Sequence, residues 1–169
     1  MSNMYYIQPH YKHIVLISKG NPRKKGHTME AKMNAFLSDL VVEYHKLQSL
    51  HWYVRGPQFF QAHAQLEAYY DEVRDMVDDV AEAMLMEGLR PVSRMGQFLE
   101  LSGIEEASGD FVDVPAAVEL VLADFSRLLA SAKELKRAAE EAGSDLVAAK
   151  ADGYIEGLAK AVWMLGQSR

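Results

Sequence analysis

The apolar residues of this chain fall into runs with a helical period, separated by short groups of glycine and proline. Leu37, Leu40, Tyr44, Leu47 and His51 step by three and four residues, which sets them in one stripe along a helix. Gly56 and Pro57 break that run. A second stripe passes through Phe59, Leu66, Tyr70, Val73, Val77, Val80 and Met84, and Gly88 and Pro91 end it. Residues 94–101 read as a short helix in the connection that follows. Pro115 suits the first turn of a third long helix, in which Val118, Val121, Leu122, Phe125, Leu128, Leu129, Ala132 and Leu135 keep the same period. Gly143 is placed to cap it, and Ala151, Ile155, Leu158, Val162 and Leu165 mark a last helix. Four amphipathic helices, each with one face to bury, predict an all-α four-helix bundle with a short helix between the second and third.

Residues 1–28 lack that period and are punctuated by Gly20, Pro22 and Gly26. They read as an extension ahead of a bundle domain at 29–169, with residues 13–18 (HIVLIS) as a short strand or an adhesive patch. Charge divides the chain at the same place. The first 28 residues hold Lys12, Lys19, Arg23, Lys24 and Lys25 with no acid, whereas the rest holds 13 basic and 24 acidic residues, a balance of −11. A basic arm on an acidic body is the asymmetry expected when the arm touches polyanions such as DNA and the body attracts cations. The absence of cysteine excludes disulfides, thiolate metal sites and thiol catalysis. No apolar run approaches the roughly 20 residues of a membrane-spanning helix. HIVLIS is too short for a signal-peptide core and no small-residue cleavage site follows it, so a cytoplasmic location is expected.

The candidate chemistry lies in residues 51–82, where two histidines and three carboxylates recur at helical spacings: His51, His63, Glu67, Asp78 and Glu82. A lone histidine on an apolar face is ordinarily a hydrogen-bonded core residue, and a lone acidic pair is ordinarily solvated; the set carries the signal. His63 and Glu67 are four residues apart, as are Asp78 and Glu82, so each pair shares a helix face. His63 and Asp78 are fifteen residues apart, about 22 Å along one helix at 1.5 Å per residue, which no single metal ion spans. Yet all four positions fall within an arc of roughly 100°, on the flank of the apolar stripe, and Asp71 and Arg74 fall on it too. Two such helices crossing antiparallel about a two-fold axis near Glu72 and Val73 would bring His63 and Glu67 of one chain to Asp78 and Glu82 of another. The spacing thus points to a metal site shared between subunits, with ligand types that suit iron.

The segment LHWYVRGPQFFQAH, followed by DDVAE and GLRP, resembles the Dps family of ferritin-like mini-ferritins (DNA-binding proteins from starved cells), and the resemblance runs from about Met29 through AVWML near the C-terminus. It implies ferroxidase ligands at His51, His63, Asp78 and Glu82, with a further family carboxylate at Glu67. Trp52 matches the family's tryptophan beside the iron, either an electron donor or an anchor between the first two helices. The implied activity is oxidation of Fe(II), preferably by hydrogen peroxide, with ferric mineral stored in a hollow dodecamer that protects DNA under stress. Two departures stand out: Ala83 where the family often has Arg, and Ala149 where it usually has the Asp that lines the pores admitting iron.

Two other classes compete with that expectation. A bacterioferritin-like protein would hold its metals inside each bundle through Glu-x-x-His motifs, and the chain contains none. A nucleoid-compacting protein with little ferroxidase activity would need the basic arm and not the ligand set. His10, His13, His27 and His45 have no carboxylate at useful spacing and are assigned no role.

Overall fold

The computed structural model describes the backbone of residues 22–168 and the side chains of residues 28–168. Residues 1–21 of the basic arm, with the HIVLIS segment, lie outside the described residues, whereas the backbone of residues 22–28, expected as part of the extension, already belongs to the first helix. Helix α1 spans Pro22–Tyr53, and its buried face begins at Met29. A two-residue strand β1 (Val54–Arg55) and a tight turn lead into α2 (Phe59–Met86). The turn needs left-handed backbone, supplied by Gly56 at φ 106° and, unusually for a residue with a side chain, by Gln58 at φ 68°. The short helix α3 spans Met95–Leu101, one residue inside the expected segment, because Arg94 is its extended N-cap. Strand β2 (Val112–Asp113) precedes α4 (Val114–Ala142), and α5 spans Asp145–Gly166.

Helix α1 packs against α2, α3 and α4, and α4 against α5. Their apolar stripes meet in a core that includes Phe36, Leu40, Leu47, Val73, Val80, Met84, Phe125, Leu128, Leu135 and Leu158. The two short strands pair in parallel, Val54 with Val112 and Arg55 with Asp113, so α4 begins beside the end of α1. The connection after α2 must therefore cross the length of the bundle, roughly 40 Å for a helix of 28 residues. Side chains of α1 hold it there. Asn34 accepts from Val92 N–H at 2.8 Å and donates to the Arg90 carbonyl at 3.2 Å. Asp39, only 2 % exposed, accepts from Gly103 N–H at 2.7 Å, Ser102 Oγ at 3.0 Å and Arg127 Nε at 3.3 Å. The Arg127 guanidinium fills the space a side chain at Gly103 would need.

Gly143 closes α4 in the expected left-handed conformation, φ 77°. The next residue, Ser144, starts α5 by accepting from Val147 N–H at 3.1 Å, and its hydroxyl donates to Glu87 at 2.7 Å, tying the turn to the end of α2. Deeper along α5, Tyr154 donates to Asp79 of α2 at 2.5 Å, and Lys150 pairs with the same carboxylate. Burial alone would push the Asp79 carboxyl up, but hydrogen bonds from Lys150 and Tyr154 together with the Lys150 charge hold it below the usual carboxylate range. Tyr154→Phe removes one of those donors while keeping the ring that packs on Phe36. It should lower stability by about 1–2 kcal/mol, read as a lower urea midpoint at unchanged slope; an unchanged midpoint would mean the hydroxyl is equally well satisfied by water.

Candidate metal centre

The turn that joins α1 to α2 brings the two histidines of the ligand set together. His51 lies in the last turn of α1 and His63 in the second turn of α2, and their rings stack with centroids 3.7 Å apart and planes 19° from parallel. His51 Nδ1 is 2.9 Å from the backbone carbonyl of His63, and His63 Nδ1 is 2.9 Å from that of His51. A carbonyl oxygen only accepts, so each Nδ1 carries a proton, and in the neutral imidazole the lone pair is then on Nε2. This reciprocal pair of bonds fixes the tautomer and the ring orientation that a metal-ligating imidazole requires. Phe59 stacks on His63 at 5.0 Å, and the edge of Tyr70 meets His51 at 5.5 Å. The end of α1 adds the negative pole of a helix dipole beside the rings, which favours a cation there.

Glu67 follows one turn after His63, exposed, and hydrogen-bonds Tyr70. Burial first, and then the charges of Glu67 and Asp71, push the Tyr70 hydroxyl up, so it stays protonated as a donor. Tyr70 in turn packs edge-on against Tyr44, whose hydroxyl accepts from Gln48 at 3.1 Å.

Asp78 and Glu82 are also exposed, farther along α2. Because α2 is continuous over Phe59–Met86, the fifteen residues from His63 to Asp78 correspond to about 22 Å. Among the described residues, no three His, Asp or Glu side chains converge on a point where one ion would sit. One chain thus gathers His51 and His63, keeps Glu67 near them, and presents Asp78 and Glu82 separately on the same helix. Between these stations Arg74 pairs with Asp71 at 2.7 Å and with Asp75 at 3.1 Å of its own chain.

Trp52 is 58 % exposed and meets His45 edge-on at 6.2 Å, so within one chain it does not anchor α1 to α2 as a core residue. Ala83, by contrast, is buried in the core. The sequence reading missed Tyr70 as a polar neighbour of the site, because a tyrosine at stripe spacing reads as core. It also missed the reciprocal Nδ1 bonds, which run to backbone carbonyls and leave no signal in the sequence.

A ferritin-like domain model matches residues 30–168. The chain is 34 % identical over 134 residues to DNA protection during starvation protein 2 of Bacillus anthracis, covering 79 % of this chain and 90 % of that protein. In structure it is similar to a Dps protein from Bacillus brevis, with a TM-score of 0.82, 33 % identity, and coverage of 85 % of this chain and 96 % of that one. It is also similar to a DPS protein from Vibrio cholerae O1, described as a member of a broad superfamily of ferritin-like diiron-carboxylate proteins, with a TM-score of 0.81, 27 % identity, and coverage of 85 % and 90 %. The helix order, the crossover with its short helix and these similarities agree, and the chain belongs to the Dps family of ferritin-like proteins.

Proposed function

We propose that this chain is a ferroxidase and iron store whose sites are completed by a second copy. In this reading α2 packs on α2 about a two-fold axis near Glu72 and Val73, and His51 and His63 of one chain face Asp78 and Glu82 of the other, with Glu67 assisting. The observation that carries it is the pair of preset Nε2 lone pairs at the junction of α1 and α2, from His51 and His63, and the exposed carboxylates of Asp78 and Glu82 on the far half of α2. The donor chemistry fits the substrate. Neutral imidazoles bind Fe(II), and carboxylate oxygens favour Fe(III) once it forms. Exposed Trp52 lies next to His51 in sequence, where an arriving chain would cover it.

Hydrogen peroxide is the preferred oxidant. Each peroxide takes one electron from each of two Fe(II), and two protons, and leaves as water, so both precursors of the hydroxyl radical are consumed together. The residues' part is to hold iron at the subunit boundary and to leave positions open for the oxidant. Ferric product is stored in a closed shell, twelve subunits in this reading, and the acidic body helps draw cations toward it. The protein works in the cytoplasm beside the nucleoid. Among the described residues no helix is long and apolar enough to cross a membrane. An anaerobic Fe(II) titration followed by peroxide should give rapid ferric absorbance from an oligomer; light scattering that finds a stable monomer with full activity would contradict the reading.

The arm supports a second role. Five cationic side chains without an acid in residues 1–28, repeated around a symmetric shell, give many weak phosphate contacts whose sum is tight. Sequence-independent DNA binding is expected, falling steeply with salt and lost on deletion of residues 1–28. A gel shift in which the truncated protein binds DNA as well as the full chain would assign binding elsewhere.

A further inference from the structure

Two turns of α1 before the histidines, the bundle interior holds a cluster of charges that the iron chemistry does not use. Glu43 points from α1 into the core, is 0 % exposed, and has no hydrogen-bond donor for either carboxylate oxygen. Asp124 of α4 stands within hydrogen-bonding reach of it, and the Asp124 carboxylate is 2.7 Å from the ammonium of Lys46, itself almost fully buried. Behind them Asp39 is paired with Arg127. Three carboxylates therefore face two cations, leaving the cluster one positive charge short.

Such a deficit inside a packed core is filled or the fold does not tolerate it. Two facing carboxylates are both acceptors, so neither can hydrogen-bond the other unless one of them carries a proton. A divalent cation would overcorrect the charge, and Lys46 already stands where a cation would. The clefts that reach Lys46 are lined by residues such as His45, Ser49, Met95 and Glu106, and by neither carboxylate. Among the described residues no three His, Asp or Glu side chains, those around Glu43 included, converge as a metal ion with its several oxygen ligands would need.

We propose that Glu43 and Asp124 hold one proton between them in the folded subunit, making a buried proton-binding site whose emptying at alkaline pH loosens the packing of α1 on α4. Burial above all, and then the Asp124 charge, push the Glu43 carboxyl well up, with Lys46 opposing and the Asp124 hydrogen bond and Asp39 adding to the rise. On the other packed elements, Asp79 of α2 and Lys150 and Tyr154 of α5 satisfy one another. In the unfolded chain Glu43 ionises in the ordinary carboxylate range. Between that range and its native value the folded chain keeps a proton that the unfolded chain has released. The stability from this site is thus complete below the ordinary carboxylate range and declines as pH rises through the native value.

Infrared spectroscopy of the iron-free, assembled protein tests the site directly. At neutral pH the wild-type should show the carbonyl stretch of a protonated carboxylic acid, shifted in D2O, lost reversibly at alkaline pH and absent from Glu43→Gln. Denaturant unfolding across the same pH series should show the wild-type losing stability with a slope of about one proton per subunit more than Glu43→Gln. If Glu43→Gln does not fold, Glu43→Met removes the same proton and charge at similar volume, and the wild-type spectrum stands by itself. Carboxylate bands alone at neutral pH with parallel slopes would overturn the proposal. So would one equivalent of a tightly held cation per subunit that disappears with the Glu43 substitution.

Discussion

His63→Ala should slow peroxide-driven oxidation of Fe(II) by about a hundredfold, on the scale that loss of metal-site partners reaches. The substitution takes away one proposed ligand and also disturbs its neighbour, because the His63 ring stacks on His51 and the two residues exchange Nδ1 bonds to each other's carbonyls. With His63 removed, the His51 ring loses its stacking partner, so its Nε2 is less well aimed. Asp78→Ala should reach a similar loss by a different route. Its side chain is exposed on α2 and holds nothing in its own subunit that the structure records, so the fold should be untouched. Stopped-flow absorbance gives the rates, while circular dichroism and light scattering should show both variants folded and assembled. If Asp78→Ala oxidises iron at the wild-type rate, the carboxylate half of the proposed site is misassigned.

Asp39→Ala should be the most damaging single change to the fold away from the apolar core, costing about 3 kcal/mol. One buried carboxylate receives donors from Ser102, Gly103 and Arg127, and these belong to the connection after α3 and to α4. Removing it strands the Gly103 N–H and frees the crossover at the point where it turns toward β2. Arg127 is half exposed and can turn to water, which limits its share of the loss. Asp39→Asn, which still accepts one hydrogen bond, should recover part of the difference. Equal urea midpoints for the wild-type and Asp39→Ala would show that the crossover is held by its apolar contacts alone.

The helices were legible because each has one apolar face and the breaks between them are chemically marked. Gly56 and Pro57, Gly88, Pro115 and Gly143 all stand at the ends of observed helices. The paired strands β1 and β2 were not legible, since two residues are too few to show a period of two. The polar interior escaped as well. Asp39, Glu43 and Lys46 sit among stripe residues of α1 in a segment where charged side chains read as the solvent face, and only packing against Asp124 and Arg127 reveals that they are inside. At the candidate site, spacing alone separated the ligand set into two halves too far apart for one ion, and α2 is indeed one unbroken helix. The roles of the five ligand positions rest on that spacing and on the family resemblance. The orientation of the histidine rings depends on backbone carbonyls, which no sequence pattern displays.

A site divided between two chains has a consequence that no site within one chain shares. In a pair made of one His63→Ala chain and one Asp78→Ala chain, the first still offers Asp78 and Glu82 and the second still offers His51 and His63, so one of the pair's two sites is whole. Shells co-assembled from the two inactive variants at graded ratios should therefore regain Fe(II)-oxidising activity, with a maximum near equal mixing. Activity that stays flat at the level of the separate variants across the whole series, with mixed shells verified by mass spectrometry, would contradict the shared site.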